Sequence, residues 1–276
     1  MQRSLAEPAS GGRPADDRPL ILMTNDDGYD ARGLVSLAAA LADMARVVVV
    51  APTMEQSACS HKLTLHTGLR LHEVREGWFR LDGTPADCVY VGLFAGDRVL
   101  PRKPDLVVSG LNEGPNLGLD VYYSGTVAGA REAAMRGVPG LAVSADPRAD
   151  LDAAAKICAS IAKAAIACAA RWSSPPVLNV NVPPGSSWQV CVTRPGRRVY
   201  GEGVEFRRDP RGREYLWIGG PGVRNEGAVG TDTAAFEAGQ VGVSSLPLRP
   251  HEPDPEDPAA VVVRQWERLD DARRIG

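Results

Sequence analysis

Apolar runs that stop abruptly at small, acidic or hydroxyl-bearing residues constrain this chain more than any other feature. Residues 20–23 end in Thr24-Asn25-Asp26-Asp27-Gly28, and residues 47–50 lead to Gln56-Ser57-Ala58-Cys59-Ser60. Residues 106–108 run into Ser109-Gly110-Leu111-Asn112-Glu113-Gly114-Pro115-Asn116-Leu117-Gly118, and a fourth polar segment is Tyr123-Ser124-Gly125-Thr126. Apolar runs without polar alternation mark parallel strands buried on both faces, and open α/β sheets bind ligands beyond the carboxyl ends of such strands. All four segments are therefore expected at one sheet edge, in one site.

The rest of the chain is organised to suit. Leu34, Leu37, Ala38, Leu41 and Met44 recur at helical spacing between the first two apolar runs, which makes a β-α-β unit. Its right-handed crossover brings the ends of both strands to the same edge. The alternation continues with a helix over 125–136, a strand at 141–144 and a longer helix over 152–171. Lys156 and Lys163 interrupt the Ala-rich run of that last helix, so it reads as an amphipathic surface helix and not as a membrane span. Residues 177–182 alternate with period two, as a half-buried strand does. From 193 to 248 the composition turns to Gly, Pro and Arg with Tyr200, Phe206, Tyr215 and Trp217, which predicts long projecting hairpins. Their free edges invite pairing with a second chain. The expected organisation is a disordered tail at 1–18, then one α/β domain over 19–276. Within that domain, 193–248 is a hairpin and oligomerisation region and 249–276 a C-terminal segment.

Charge and cysteine usage narrow the function classes. A formal charge of −3 gives no basic field for polynucleotide phosphates. Five cysteines without paired spacing suit reduced thiols in the cytoplasm, and residues 1–18 lack the apolar stretch of a secretory signal.

The polar segments carry oxygen ligands and backbone N–H groups. Asp26, Asp27, Ser57 and Asn112 offer carboxylate, hydroxyl and amide oxygens, hard donors suited to Mg²⁺, Mn²⁺ or Ca²⁺, and Gly28 permits a turn that turns both carboxylates toward one ion. His61, His66, His72 and His251 form no zinc pattern. Gly110, Gly114 and Gly118 allow backbone N–H groups close to an anion, and Ser124-Gly125-Thr126 opens a helix whose first N–H groups favour phosphate. A hard cation beside a phosphate cradle implies phosphoryl chemistry. Each residue also has a local alternative: Asp26 as a cap of the first helix, Ser57 and Ser60 as turn formers, Asn112 and Asn116 as left-handed backbone positions, and His61-Lys62 as a solvated loop face.

Taken together, the motifs resemble the SurE family of survival-protein nucleotidases. The resemblance spans 19–248 through Thr-Asn-Asp-Asp-Gly-Tyr-Asp-Ala-Arg-Gly-Leu at 24–34, Val-Ala-Pro at 50–52, Gln-Ser-Ala-Cys-Ser at 56–60 and Gly-Thr-Pro-Ala-Asp-Cys-Val at 83–89. It continues through Pro-Asp-Leu-Val-Val-Ser-Gly-Leu-Asn-Glu-Gly-Pro-Asn-Leu-Gly at 104–118, Tyr-Ser-Gly-Thr-Val-Ala at 123–128 and Gly-Thr-Asp at 230–232. It implies a Rossmann-like α/β core and hydrolysis of nucleoside 5′- and 3′-monophosphates. It also implies one divalent metal ion per subunit on Asp26, Asp27, Ser57 and Asn112, with Mg²⁺ or Mn²⁺ ahead of Ca²⁺. Phosphate contacts are implied from Asn116 and from Ser124, Gly125 and Thr126, with Asn25 and Gly110 as further candidates. The implied assembly is a homodimer that exchanges C-terminal segments, with a tetramer as its paired form. The chain departs from the family at Ala58, where Gly is usual, and at Arg131-Glu132-Ala133, where Met-Glu-Gly is usual. Two rivals accompany the hydrolase reading: an Asp nucleophile forming an aspartyl-phosphate, and a nucleotide-binding protein of the same fold without turnover.

Overall fold

A computed structural model describes residues 17–248; nearly all of the expected tail at 1–18, and the whole C-terminal segment at 249–276, lie outside the described residues. The compact unit described here ends at Leu246. It centres on a nine-stranded, mostly parallel sheet flanked by helices.

Strand β1 (Leu20–Thr24) is wholly buried, and its successive side chains feed two cores. Ile21 and Met23 join Leu34, Leu37 and Leu41 of α1 (Arg32–Ala42) on one face, whereas Leu20 and Leu22 join the opposite core. This is the period-two alternation of a strand covered on both faces. Helix α1 begins at Ala31 without a side-chain cap. Packing holds it nonetheless, because each buried Leu contributes about 1.5–3 kcal/mol against about 1 kcal/mol for a missing cap. The expectation that Asp26 caps this helix is thereby removed.

Strand β2 (Arg46–Pro52) pairs parallel with β1, and the following segment forms an antiparallel pair, β3 (Leu71–Arg75) and β4 (Trp78–Leu81). Helix α2 (Pro85–Phe94) follows, with a capping box between Thr84 and Asp87 and Pro85 in its first turn. The chain then returns to the far side of β1 as β5 (Leu106–Glu113) and continues through α3 (Gly125–Met135), β6 (Gly140–Ala145), α4 (Leu151–Cys168) and β7 (Val177–Val182). The order of progression thus reverses between β1 and β5, and that reversal opens the crevice where ligands bind in such sheets.

One expectation holds and one changes. Helix α4 with the turn after it is long and apolar enough to cross a membrane, with a mean hydropathy of 1.6. In the structure it is the expected amphipathic surface helix, with Ala154, Cys158, Ala159, Ala162 and Ala165 buried in the core that α1 also enters and its other face toward solvent. Strand β7, expected to be half-buried, has no solvent face at its polar positions: Asn179 and Asn181 are both buried and both donate to the carbonyl of Asn116.

Strand β8 (Val190–Thr193) and strand β11 (Val241–Leu246) complete the sheet, β11 lying between β7 and β8. Between them come β9 (Arg197–Arg208) and β10 (Glu214–Glu226), which pair antiparallel with each other, and α5 (Asp232–Glu237). The β9–β10 ribbon carries exposed Val204, Phe206, Leu216, Trp217 and Ile218 and is the projecting hairpin expected from composition.

Candidate active site

Where β1 leaves the sheet, Asn25 is fully buried and its Nδ2 donates to Gly28 O at 2.8 Å, closing the turn that carries the two acids. Gly28 adopts φ +111°, a left-handed value that lets the chain reverse there. Asp26 faces inward, 4% exposed. Its carboxylate accepts the Thr126 hydroxyl and the Thr126 N–H, and its carbonyl accepts Gln56 N–H at 2.7 Å. Asp27 is half-buried and accepts Glu113 N–H at a long 3.4 Å.

The loop carrying Ser57 is latched at several points. Ser57 Oγ donates to Glu55 Oε1 at 2.8 Å. Ser60 donates its N–H to Tyr123 O at 2.9 Å and its hydroxyl to Tyr122 O at 2.7 Å, and Thr64 donates twice to Asp87. His61 is no solvated face: its Nε2 lies 2.9 Å from Glu132 Oε2, and Arg136 Nε lies 2.7 Å from Glu132 Oε1. Burial works against the Glu132 carboxylate, but hydrogen bonds from His61 and Arg136 outweigh it and hold its pKa below the ordinary 4.5. A lowered folded-state value stabilises above the unfolded value and is lost as pH falls through the folded one. Glu132→Gln is therefore expected to cost about 2 kcal/mol at neutral pH. The gap between denaturant melts of the variant and the wild type should close as pH falls below the ordinary glutamate value and through the lowered one; a constant gap across pH would refute the ion pair's role.

Strand β5 runs farther than its apolar stretch, so Asn112 belongs to a strand and not to a loop. A register shift between Ser109 and Asn112 makes the excursion possible, and Gly110 sits within it at φ +132°. Asn112 Nδ2 donates to Gly114 O at 2.6 Å, so Oδ1 is the side-chain atom that Asn112 can offer to a ligand. Asn116 is pinned by Ser144 and by both asparagines of β7. Among the described residues only Ala58 and Ser60 are non-glycine positions of positive φ, so the left-handed reading of Asn112 and Asn116 falls.

At the start of α3, Ser124 Oγ caps Val127 N at 3.0 Å, and Thr126 serves Asp26. Part of the anion site expected at this helix end is thus already used by a carboxylate of the chain itself. Gly125 has to be small, since a Cβ there would come within 3.1 Å of both Cys59 Sγ and the Asp26 side chain.

Two cavities of about 720 and 700 Å³ meet at this point and share Ser57, Asn112 and Glu113. Asp27 lines the first, and Asp26, Asn116 and Ser124 line the second. The four polar segments thus converge as their positions at strand ends required. Asn25, Gly110, Gly125 and Thr126 line neither cavity and lie behind the wall.

Burial raises the Asp26 pKa, and burial followed by the charge of Asp26 raises Asp27 to about 7. The side-chain charges that act on Asp27 are Asp26, Glu113 and Glu55, all acidic. No group of three His, Cys, Asp or Glu among the described residues forms a metal cage. The donor set is two carboxylates completed by a hydroxyl and an amide, and that set fits a hard divalent cation. Glu55, Glu113, Asp120 and Arg198 carried no signal as site residues in the sequence, and Tyr200 stood out only as a hairpin aromatic, not as one of the trio it forms with Asp120 and Arg198. The two glutamates stand beside residues that were singled out, whereas the trio joins positions that only the fold brings together.

The family described as Survival protein SurE matches residues 21–202. The chain is 58% identical to the 5′-nucleotidase SurE of Sorangium cellulosum over 84% of its own length and 90% of that protein. It is 47% identical to the 5′-nucleotidase SurE of Anaeromyxobacter dehalogenans over 89% of its own length and 95% of that protein. The crystal structure of the SurE protein from Aquifex aeolicus superposes with a TM-score of 0.71 at 35% identity, covering 91% of this chain and all of that one.

Proposed function

The chain belongs to the SurE family, and from that premise we propose that it is a 5′-nucleotidase, a hydrolase that splits nucleoside 5′-monophosphates into nucleoside and phosphate. The observation that carries the reading is the Asp26–Asp27 pair at the reversal of strand order, the first buried and the second half-buried, flanked by neutral oxygen donors and opening on two cavities. Asp26, Asp27, Ser57 and Asn112 would hold one divalent cation per subunit, Mg²⁺ or Mn²⁺, with Ca²⁺ as the third candidate.

Such a cation, when bound, neutralises charge on the phosphate and lowers the pKa of water. The remaining work falls to the chain. Asp26, fixed by Thr126, is the positioned carboxylate. Asp27 has a single long contact and faces the cavity, so it is the one able to orient the attacking water and take its proton. In that step water oxygen bonds to phosphorus, the ester bond to the nucleoside oxygen breaks, and that oxygen leaves with a proton. Asn116 and Ser124 stand in the second cavity for contact with the phosphate.

Nucleoside 3′-monophosphates belong to the same proposal. So do a cytoplasmic setting, consistent with five free thiols, and a homodimer, or tetramer, built on the outer part of the β9–β10 ribbon, at Phe206, Leu216 and Trp217, and on exchange of C-terminal segments. Phosphate release from paired 5′- and 3′-monophosphates tests the reading. Release from the 5′ series is expected. Tight nucleotide binding without release would replace the enzyme with a binding protein.

A further inference from the structure

The two cavities differ in their walls. Beyond the residues the two share, the first is lined by Asp27, Glu55 and Asp146, by Arg32 and by small or aliphatic residues, with no aromatic ring. The second runs from Asp26, Ser57 and Asn112 to the root of the β9–β10 ribbon, where Tyr200, Gly201, Gly203, Ile218 and Gly219 line it. We propose that the nucleoside half of the substrate occupies the second cavity, its base laid against Tyr200 and Ile218. The inference rests on the nucleotidase reading and names the subsite that would select the base.

Four observations support it. The cavity, at about 700 Å³, has the size of a small-molecule site, and one end of it is the phosphate end. Tyr200 is fixed in advance: its hydroxyl donates to Asp120 Oδ1 at 2.7 Å, and the Arg198 guanidinium lies 5.5 Å from its ring centroid. A ring held before the ligand arrives loses little freedom on stacking. Ile218 is 86% exposed, and nothing stands within 4 Å of where a Cβ of Gly219 would be, so the wall is apolar, flat and open to a planar heterocycle. Finally, Arg198 Nη1 holds Asp120 Oδ2 at 2.8 Å, which neutralises a carboxylate that would otherwise repel the substrate's negative charge.

The test compares AMP with ribose 5-phosphate, which has the same phosphate and sugar but no base, on Tyr200→Ala, Ile218→Ser and Tyr200→Phe in the full chain. Tyr200→Ala and Ile218→Ser are expected to lower kcat/KM for AMP about tenfold, mainly through KM, with ribose 5-phosphate within about twofold. Tyr200→Phe, which keeps the ring, should retain AMP turnover. Equal losses on both substrates, or no loss on AMP, would overturn the subsite while leaving the hydrolase intact. If the wild type releases phosphate from neither, the hydrolase reading fails. Saturation-transfer NMR of adenosine in EDTA then decides the subsite: a signal lost in Tyr200→Ala upholds it, and one retained in that variant overturns it.

Discussion

Asp26→Asn is expected to remove turnover, lowering kcat by about a thousandfold or more, while the protein stays folded. The carboxylate is 4% exposed and already accepts the Thr126 hydroxyl and N–H. An Asn side chain can accept the same two hydrogen bonds through its Oδ1, so the α3 junction need not open. What is lost is one of the two negative charges that attract a divalent cation. Because Asp26 and Asp27 repel each other in the cation-free site, the variant in EDTA should melt no lower than the wild type. Circular dichroism melts beside phosphate release separate the two effects. Full activity in the variant would remove Asp26 from the site, and a collapsed fold would make its role structural.

The second large effect is expected at Gly110→Ala. Gly110 lies in the register shift of β5 at φ +132°, a region L side chains rarely adopt, and a Cβ there would run into the carbonyl oxygen of Val143 in β6. Backbone strain of this sort costs about 1–3 kcal/mol, and the obstacle is sheet backbone, which cannot swing aside as a long side chain would. A loss of about 3 kcal/mol is expected, equivalent to about 6–12 °C in Tm for a domain of this size. Activity should fall as well, since the same excursion carries Asn112. Wild-type stability in the variant would show that β5 can straighten without cost. The glycine that sequence reasoning assigned to anion approach thus has a packing reason of its own.

Sequence reasoning reached the residues whose types are dictated by chemistry and by burial. The strand cores of β1, β2, β5 and β6 were legible because strands covered on both faces admit few polar residues. Helix α1 was legible because its apolar residues recur on one face. Strand β3 was not, since it is almost wholly exposed and carries no apolar run. The capping box at Thr84 and Asp87 did announce α2, although it had been quoted only as part of a family motif. In β7, Asn179 and Asn181 mimic a solvent face, because the partner that satisfies them, the Asn116 carbonyl, is 63 and 65 residues away.

The candidate site divides the same way. Convergence of the four polar segments followed from strand direction alone. Their division of labour did not, because the amides of α3 are claimed by whichever anion reaches them first in space, and Asp26 does so. His61 and Glu132 stand 71 residues apart, so their ion pair had no local signal.

Cation-assisted phosphomonoester hydrolysis on Asp26 and Asp27 is the reaction proposed for this site. Its most direct measurement is phosphate release from AMP by the full chain stripped with EDTA and then supplied with Mn²⁺ or Mg²⁺, alongside Asp27→Ala under the same conditions. Release by the wild type is expected only when the cation is restored, and none by the variant in either state. Equal release with and without EDTA, or release by Asp27→Ala at the wild-type rate, would contradict it.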